Sequence, residues 1–573
     1  MTKLVPETTG QEQQIRTACE AFWLTADHQL LTKEQTESAA HQILVELDLP
    51  ASLLGWTMVV LFSESWRKPF AAVPFSKRML LVPEISDDDT GLRELCQLAT
   101  DLGYHVLAAK ASSEVLARIL SGQVEAILGI ATLDVLEKAI DKIQMVELPC
   151  LAIPAERSDD GQLLFDTLWA KQWLNQAADG GHLHQASRYW QVMQAAASLF
   201  APDQLETLVR PDRKWEISGQ TVADVDQLLE KTAAVASTEA LAFDFLAKGG
   251  KYSRPFITLA VYDALTHGSS ASNGSLVVDL PDEVKRAAIS IETFHKASLI
   301  HDDIEDDDQY RYGELTLHRR FGTPLAINVG DFMIGLGYRL VSRDAAALGT
   351  EVVAEILDIL AEAHVRLSEG QGAELAWRES SGKRLTPADA IEIYALKTSP
   401  AFEAALLVGA RLAGCIDGLR QPLRDFAKNL GIAFQILNDL KDWSEDTGNK
   451  LLQGGDITGG RPTVLWALAL EGLPPADRRS LQELVGLEPP LDAEPPLDAE
   501  LQIERVRRLY EKADVFEKSL ELVRQHRHQA EQIAAAFPAD SLRMLLQYLT
   551  DCVLERTELP PANVSSPLPV GTA

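Results

Sequence analysis

The chain has 573 residues, 46% hydrophobic and 24% charged, the make-up of a globular rather than a disordered protein and too long for one compact core, so two or three domains are expected. Acidic residues outnumber basic ones 84 to 53, a net charge of −31, which argues against nucleic-acid binding through the bulk surface because phosphate attraction needs a basic face. An anionic substrate needs a local basic patch or a bound metal to enter such a field.

The opening MTKLVPETTGQEQQ lacks the apolar stretch of a signal peptide, and no run of 18 apolar residues follows anywhere. A cytoplasmic protein without a membrane anchor is therefore expected. Cys19, Cys96, Cys150, Cys415 and Cys552 are scattered and lack Cys-x-x-Cys spacing, as befits reduced thiols and not a disulfide framework, zinc or iron–sulfur site. Residues 10–62 have helical apolar spacing, with Ile43, Leu44, Leu47 and Leu49. Four β-rich runs follow, RMLLVPE (78–84), YHVLAAK (104–110), VEAILGIA (124–131) and VELPCLAIPA (146–155), separated by amphipathic stretches. That alternation predicts an α/β domain with a parallel sheet over residues 1–155. It contains Gly129 but no glycine-rich phosphate loop. This part faintly resembles a family of uncharacterised, usually cysteine-rich bacterial α/β domains, although the cysteine clusters are missing. A regulatory or assembly role is its expected use, with a structural relic as the alternative.

ERSDDGQ (156–162) reads as the start of a linker with connecting helices extending to residue 224. From Leu164 onward the windows have helical period, which predicts an all-α domain over 225–557. The tandem PPLDAE of residues 488–500 contains Pro-Pro pairs and forms an extended loop by expectation. Residues 558–573 read as a disordered tail.

Within the helical part, ASLIHDDIEDDDQYRYGELTLH (297–318) sets Asp302, Asp303 and Asp306 at i, i+1 and i+4. On a helix these carboxylates converge on one patch, and divalent cations relieve their repulsion; Mg²⁺ characteristically takes one or two carboxylates plus substrate phosphate oxygens. An acidic solvated turn is the bland alternative. A second run, GIAFQILNDLKDW (431–443), repeats the spacing with Asn438, Asp439 and Asp442. Metal sites in helical bundles are built in this way, from inward side chains on opposing helices. Basic residues complete the pattern: Lys251 and Arg254 in GGKYSRP, with Arg311, Lys397 and Arg461.

The ordered landmarks GGKYSRP, HKASLIHDDIEDD, RYGELTLH, NVGDFM, GQGAEL, YALKTS, GIAFQILNDLKD and DITGGRPT resemble the trans-isoprenyl diphosphate synthase (polyprenyl synthetase) family across about residues 225–557. The resemblance implies a multidomain protein whose α/β part precedes an isoprenoid synthase-like helical bundle. It implies a prenyltransferase that joins isopentenyl diphosphate to an allylic diphosphate, acting as a homodimer. Asp302, Asp303 and Asp306 then hold Mg²⁺ on one side, and Asn438, Asp439 and Asp442 on the other, in a cluster of three ions with bound diphosphate. Arg311, Lys397 and Arg461 grip the allylic diphosphate; Gln435 stands beside the second cluster, and Thr398 lines the carbocation. Lys251, Arg254 and His295 form the pocket for isopentenyl diphosphate. His318 also matches a family position and is read as structural, and Lys296 as solvated. Small Ala297 and Ser298, one turn below the metal, leave room for a growing chain over a floor at Phe294, which implies a product of about twenty to twenty-five carbons.

Two positions depart from the family. Tyr312 stands where a second arginine helps hold isopentenyl diphosphate, and a phenol offers no bidentate cationic fork. Asn438 replaces an aspartate, and Asn438, Asp442 and Asp446 fall at i, i+4 and i+8, an approximation to the second metal motif of terpene cyclases. Two alternatives therefore stand beside elongation: a terpene synthase-like enzyme that cyclises a prenyl diphosphate, and a regulatory subunit of a prenyl synthase.

Overall fold

The computed structural model describes residues 6, 8–25, 33–83, 89–108, 118, 123–133, 135–136, 148–157, 163–176, 188–210, 224–250, 252–267, 280–380, 383–414, 416–443, 461–484 and 499–554. The candidate residue Lys251, together with Asp446, the PPLDAE repeat and the C-terminal tail, lies outside them apart from the repeat's last two residues. The chain divides into two compact units, residues 1–198 with 276–278, and 199–275 with 279–573.

In the first unit, helices α1 (Thr9–Thr25), α2 (Lys33–Glu46) and α3 (Leu54–Ala72) lead into β1 (Arg78–Val82), α4 (Thr90–Leu102), β2 (His105–Ala108), β3 (Ala126–Thr132), β4 (Cys150–Arg157), β5 (Leu163–Leu164) and α5 (Thr167–Leu174). The sheet order is β2-β1-β3-β4-β5. All four predicted strands are present and pair in parallel. Ala126 to Ile130 are buried without interruption, as in strands covered on both faces. The segment read as a linker begins differently from expectation. Glu156 and Arg157 continue β4, pair antiparallel with β5, and are followed by α5, whose Trp169 and Trp173 enter the same core as Trp56 and Trp66. The aromatic run of α5 supplies that core with area the polar ERSDDGQ conceals. Arg78 is buried with its guanidinium on the carbonyls of Val73, Ala71 and Gln176 and the Tyr104 hydroxyl, at 2.7–2.9 Å, so it is a structural cation. Cys19 and Cys150 are buried thiols whose pKa burial pushes up, that of Cys150 to about 12, in keeping with inert thiols.

The second unit is helical among its described residues except for one hairpin. Its site-bearing helices are α6 (Ser237–Ala247), α7 (Ser253–His267), α8 (Asp282–Glu305), α9 (Thr323–Ser342), α10 (Thr350–Glu379), α11 (Pro387–Lys397), α12 (Ser399–Leu412), α13 (Arg420–Lys441), α14 (Val464–Gly472), α15 (Val515–Ala535) and α16 (Asp540–Val553). The hairpin, β6 (Tyr310–Arg311) with β7 (Glu314–Leu315), is a short addition to the expected all-α unit. Tyr312 and Gly313 both have positive φ, 54° and 79°, which is the backbone of a two-residue hairpin turn. The long central α8 packs against α9 and α7, and α10 against α11 and α12. Among the described residues no helix is long and apolar enough to cross a membrane.

Candidate active site

Acids gather at the C-terminal end of α8, where helix carbonyls already form a negative pole, so this end requires cations. Asp303 is buried and accepts from Arg311 Nε at 2.8 Å and from its Nη2. Asp306 takes Arg378 Nη1 on one oxygen at 2.6 Å and Arg461 Nη2 on the other at 3.0 Å. Burial pushes the Asp302 carboxyl up to about 7; Lys397 pulls it down, while Glu305, Asp306 and Glu374 push it further up.

Helix α10 lays a polar stripe against this end. Gln371, Glu374 and Arg378 stand at i, i+3 and i+7, on one helix face. Gln371 donates to Glu305 Oε2 at 2.6 Å, Glu374 Oε2 accepts from Lys397 Nζ at 2.6 Å, and Arg378 holds Asp306. Gly370 precedes the stripe because α10 and α11 cross with backbones in contact: a Cβ there would lie 2.6 Å from the Lys397 nitrogen. None of Gln371, Glu374, Arg378 or Tyr394 was singled out from the sequence, although GQGAEL marked the segment. The i, i+3, i+7 spacing through Arg378 was the available signal.

Helix α11 links the two acidic runs. A Thr386–Asp389 capping box fixes its start, and Tyr394 and Lys397 share one face a turn apart. The Tyr394 hydroxyl donates to Asp439 Oδ2 and accepts from the Val464 nitrogen at 2.6 Å. Thr398 Oγ1 donates to Gln435 Oε1 at 3.2 Å, and Gln435 Nε2 donates to Asp439 Oδ1 at 3.2 Å. The structure thus brings Thr398, Gln435 and Asp439 into one chain, with Lys397 on the side of Asp302. Asp439 and Asp442 are buried on α13 and just beyond it, and Asn438 is half-buried.

Glu374 Oε1 is buried with no hydrogen-bond partner. A hard-oxygen donor set, a carboxyl pushed up by burial and an orphaned carboxylate oxygen fit a divalent cation. Asp302, Asp303 and Asp306 are the residues that would hold it on the α8 side, with Glu374 of α10 offering a further oxygen. Among the described residues no group of three or more His, Cys, Asp or Glu side chains stands close enough together to hold a metal ion as placed; guanidinium groups hold Asp303 and Asp306 instead.

Two turns earlier on α8 is a second polar group. Arg254, at the start of α7, has its Nε buried without a hydrogen bond, and so does Glu292 Oε2. Glu292 and Arg254 attract one another, while burial pulls the Arg254 guanidinium below its ordinary pKa. His295 stays neutral, its pKa pushed well below the usual range by burial and then by Arg254, Lys296 and Arg311. Lys296 is fully buried, not solvated; the reason is its ring of backbone carbonyls, described below. His318 lies 3.6 Å from Asp307. Phe294, Ser298 and Asp302 fall on one stripe, whereas Ala297 is buried beside it and Ser298 exposed. The Phe294 ring meets the edge of Tyr338, with centroids 4.7 Å apart.

The Polyprenyl synthetase family model matches residues 236–494. A short chain isoprenyl diphosphate synthase of Methanocaldococcus jannaschii is 33% identical over 42% of this chain and 68% of its own length. The octaprenyl diphosphate synthase of Escherichia coli is 29% identical over 44% and 72%. The crystal structure of a geranylgeranyl pyrophosphate synthetase from Pyrococcus horikoshii superimposes with a TM-score of 0.50 at 25% identity, covering 64% of this chain and 98% of that one. A geranylgeranyl pyrophosphate synthase from Corynebacterium glutamicum, TM-score 0.50 over 65% and 99% at 22% identity, shares the fold. With its eight landmarks in order, this chain belongs to the trans-isoprenyl diphosphate synthase (polyprenyl synthetase) family.

Proposed function

We propose that the chain is a Mg²⁺-dependent prenyltransferase that condenses isopentenyl diphosphate with an allylic diphosphate, as a homodimer, to give a longer trans-prenyl diphosphate of about twenty to twenty-five carbons. The observation that carries this reading is the meeting of carboxylates from α8 with Arg378, Lys397 and Arg461, beside a separate pocket that holds the Arg254 cation and neutral His295. Relatives named isoprenyl and octaprenyl diphosphate synthases support it, as does the Corynebacterium enzyme, whose structure is described as complexed with isoprenyl diphosphate and magnesium.

The reading assigns the residues as follows. Asp302, Asp303 and Asp306, with Glu374 beside them and Asn438, Asp439 and Asp442 opposite, would hold Mg²⁺, which would supply positive charge for the leaving pyrophosphate. Lys397, Arg311, Arg378 and Arg461 exchange their carboxylates for diphosphate oxygens, stabilising charge as the allylic C–O bond breaks. Thr398 and Gln435, fixed through Asp439, line the cation. Lys251, Arg254 and neutral His295 hold isopentenyl diphosphate, whose double bond attacks the cation; the proton lost from the adjacent carbon passes to pyrophosphate. Phe294, backed by Tyr338, limits the chain below Ala297 and Ser298.

The test is a product assay in which dimethylallyl, geranyl, farnesyl and geranylgeranyl diphosphates are each offered with and without isopentenyl diphosphate. Longer diphosphates formed only with isopentenyl diphosphate are the expected outcome. Hydrocarbons or alcohols from the allylic substrate alone would instead make Tyr312 and Asn438 marks of a cyclase.

A further inference from the structure

Lys296 is a long cation with no exposure at all. Its ammonium donates to the carbonyl oxygens of Phe245 at 3.2 Å, Leu246 at 3.0 Å, Gly249 at 2.9 Å and Lys248. Two of these are carbonyls of the last turn of α6, that of Phe245 also accepting from the Lys248 nitrogen, where a cation meets the negative helix pole. The other two belong to the turn beyond it. That turn reaches the ammonium because Gly249 and Gly250 have φ of 55° and 122°, which suit glycine.

Aromatic faces close the rest of the shell. The ammonium stands 5.2 Å from the Tyr312 ring centroid, 5.8 Å from Tyr252 and 6.0 Å from Phe245, distances at which ring faces attract a cation. The Tyr312 ring also packs against the turn: a Cβ at position 249 would collide with it. The hairpin holds Tyr312 there with φ of 54°, a left-handed conformation that disfavours a non-glycine residue, so the placement is upheld by its surroundings.

We infer that Lys296 is a positioning residue: caged by the carbonyls of Phe245, Leu246, Lys248 and Gly249 and by Tyr312, it fixes the Gly249–Gly250 turn that precedes Arg254, the cation assigned to isopentenyl diphosphate, and it is why a tyrosine stands at 312. An arginine at 312 would set a second positive charge against the buried ammonium, and like charges there repel. A ring face accepts it. The two departures of this segment from a plain acidic-and-basic pattern, a lysine inside the helix and a tyrosine in the hairpin, are thus one matched pair. The inference rests on the elongation reading for its kinetic consequence but not for the clamp itself.

Full-length wild type, Lys296→Met, Lys296→Arg, Tyr312→Phe, Tyr312→Ala and Tyr312→Arg would be compared by steady-state kinetics and by hydrogen exchange. Lys296→Met is expected to raise the KM for isopentenyl diphosphate tenfold or more and to leave the allylic KM within about twofold. Exchange at the amides of Gly249, Gly250 and Tyr252 should accelerate at least tenfold, with the acidic end of α8 unchanged. Lys296→Arg should recover part of both effects. Tyr312→Phe should stay near wild type while Tyr312→Ala follows Lys296→Met. Tyr312→Arg should be worse than Tyr312→Phe, and less so in the Lys296→Met background. Equal rises in both KM values, or unchanged exchange in the turn, would overturn the clamp. If Lys296→Met does not fold, the Tyr312→Phe and Tyr312→Ala pair decides, and equal behaviour of the two would overturn it. A wild type that does not extend chains refutes the elongation reading alone, since the exchange measurement still judges the clamp.

Discussion

The two charged regions of α8 handle charge in opposite ways. At its C-terminal end, Asp303 and Asp306 face arginines in a partly open cleft, the Arg461 side chain being 39% exposed. Two turns back, the Lys296 charge is enclosed by neutral carbonyls and rings, with Glu292 one turn away on its own helix. An ion pair near water can be exchanged for a metal and a diphosphate at modest cost, because each partner finds a new opposite charge. A cation enclosed by backbone has nothing to exchange with and serves geometry instead. On the proposed reading, paired charge on this helix is for chemistry, and caged charge is for position.

The largest effect expected on the acidic side is from Asp302→Asn. On the proposed reading this removes charge that would hold the metal beside the leaving pyrophosphate, and kcat should fall on the order of 10²–10³-fold, with the melting temperature unchanged, since relieving a half-buried acid crowded by Glu305, Asp306 and Glu374 does not harm the fold. A kcat within threefold of wild type would remove Asp302 from the machinery. Next comes Arg378→Gln, which takes away a charge-assisted bond of roughly 1.5–3 kcal/mol. A ten- to hundredfold loss in kcat/KM for the allylic substrate, with the isopentenyl diphosphate KM little moved, is the expected split. Tyr394→Phe breaks the link from α11 to Asp439 and the Val464 nitrogen; about a tenfold loss in kcat is expected, visible in Mg²⁺ titrations as a shift to higher metal.

The smallest effect concerns His295. Its folded pKa lies below the unfolded value of about 6.5, so between those two values the unfolded chain binds the extra proton and stability falls as pH drops below about 6.5. Denaturant midpoints measured from pH 7 to pH 5 should therefore decline less in His295→Gln than in wild type. An identical decline would place the titrating groups elsewhere, His364 and His526 being also pushed down by burial.

How far the sequence reached follows the same division. Contiguous patterns were legible: the four β-rich runs became the parallel strands, and the Asp302 and Asp439 runs sit at the ends of their helices, connected through α11. What depended on contacts distant in sequence was not. Lys296 reads as solvated in the sequence because nothing local announces that two carbonyls from the end of another helix and two from the turn beyond it surround its ammonium. The polar stripe of Gln371, Glu374 and Arg378 was hidden within a helix whose landmark glycines drew attention first. Trp169 and Trp173 belong to a core that ERSDDGQ, polar and short, gave no sign of joining. Tyr312 looked like a lost cation until its ring was seen over Gly249.

The central claim is that ionisation here serves chain extension. A single-turnover experiment tests it most directly, with excess enzyme, Mg²⁺ and an allylic diphosphate, in the presence or absence of labelled isopentenyl diphosphate. The account predicts label in a chain-extended diphosphate and one pyrophosphate released per bond formed, with little release when isopentenyl diphosphate is withheld. Pyrophosphate released at the same rate without it, and no label in a longer diphosphate, would contradict the account.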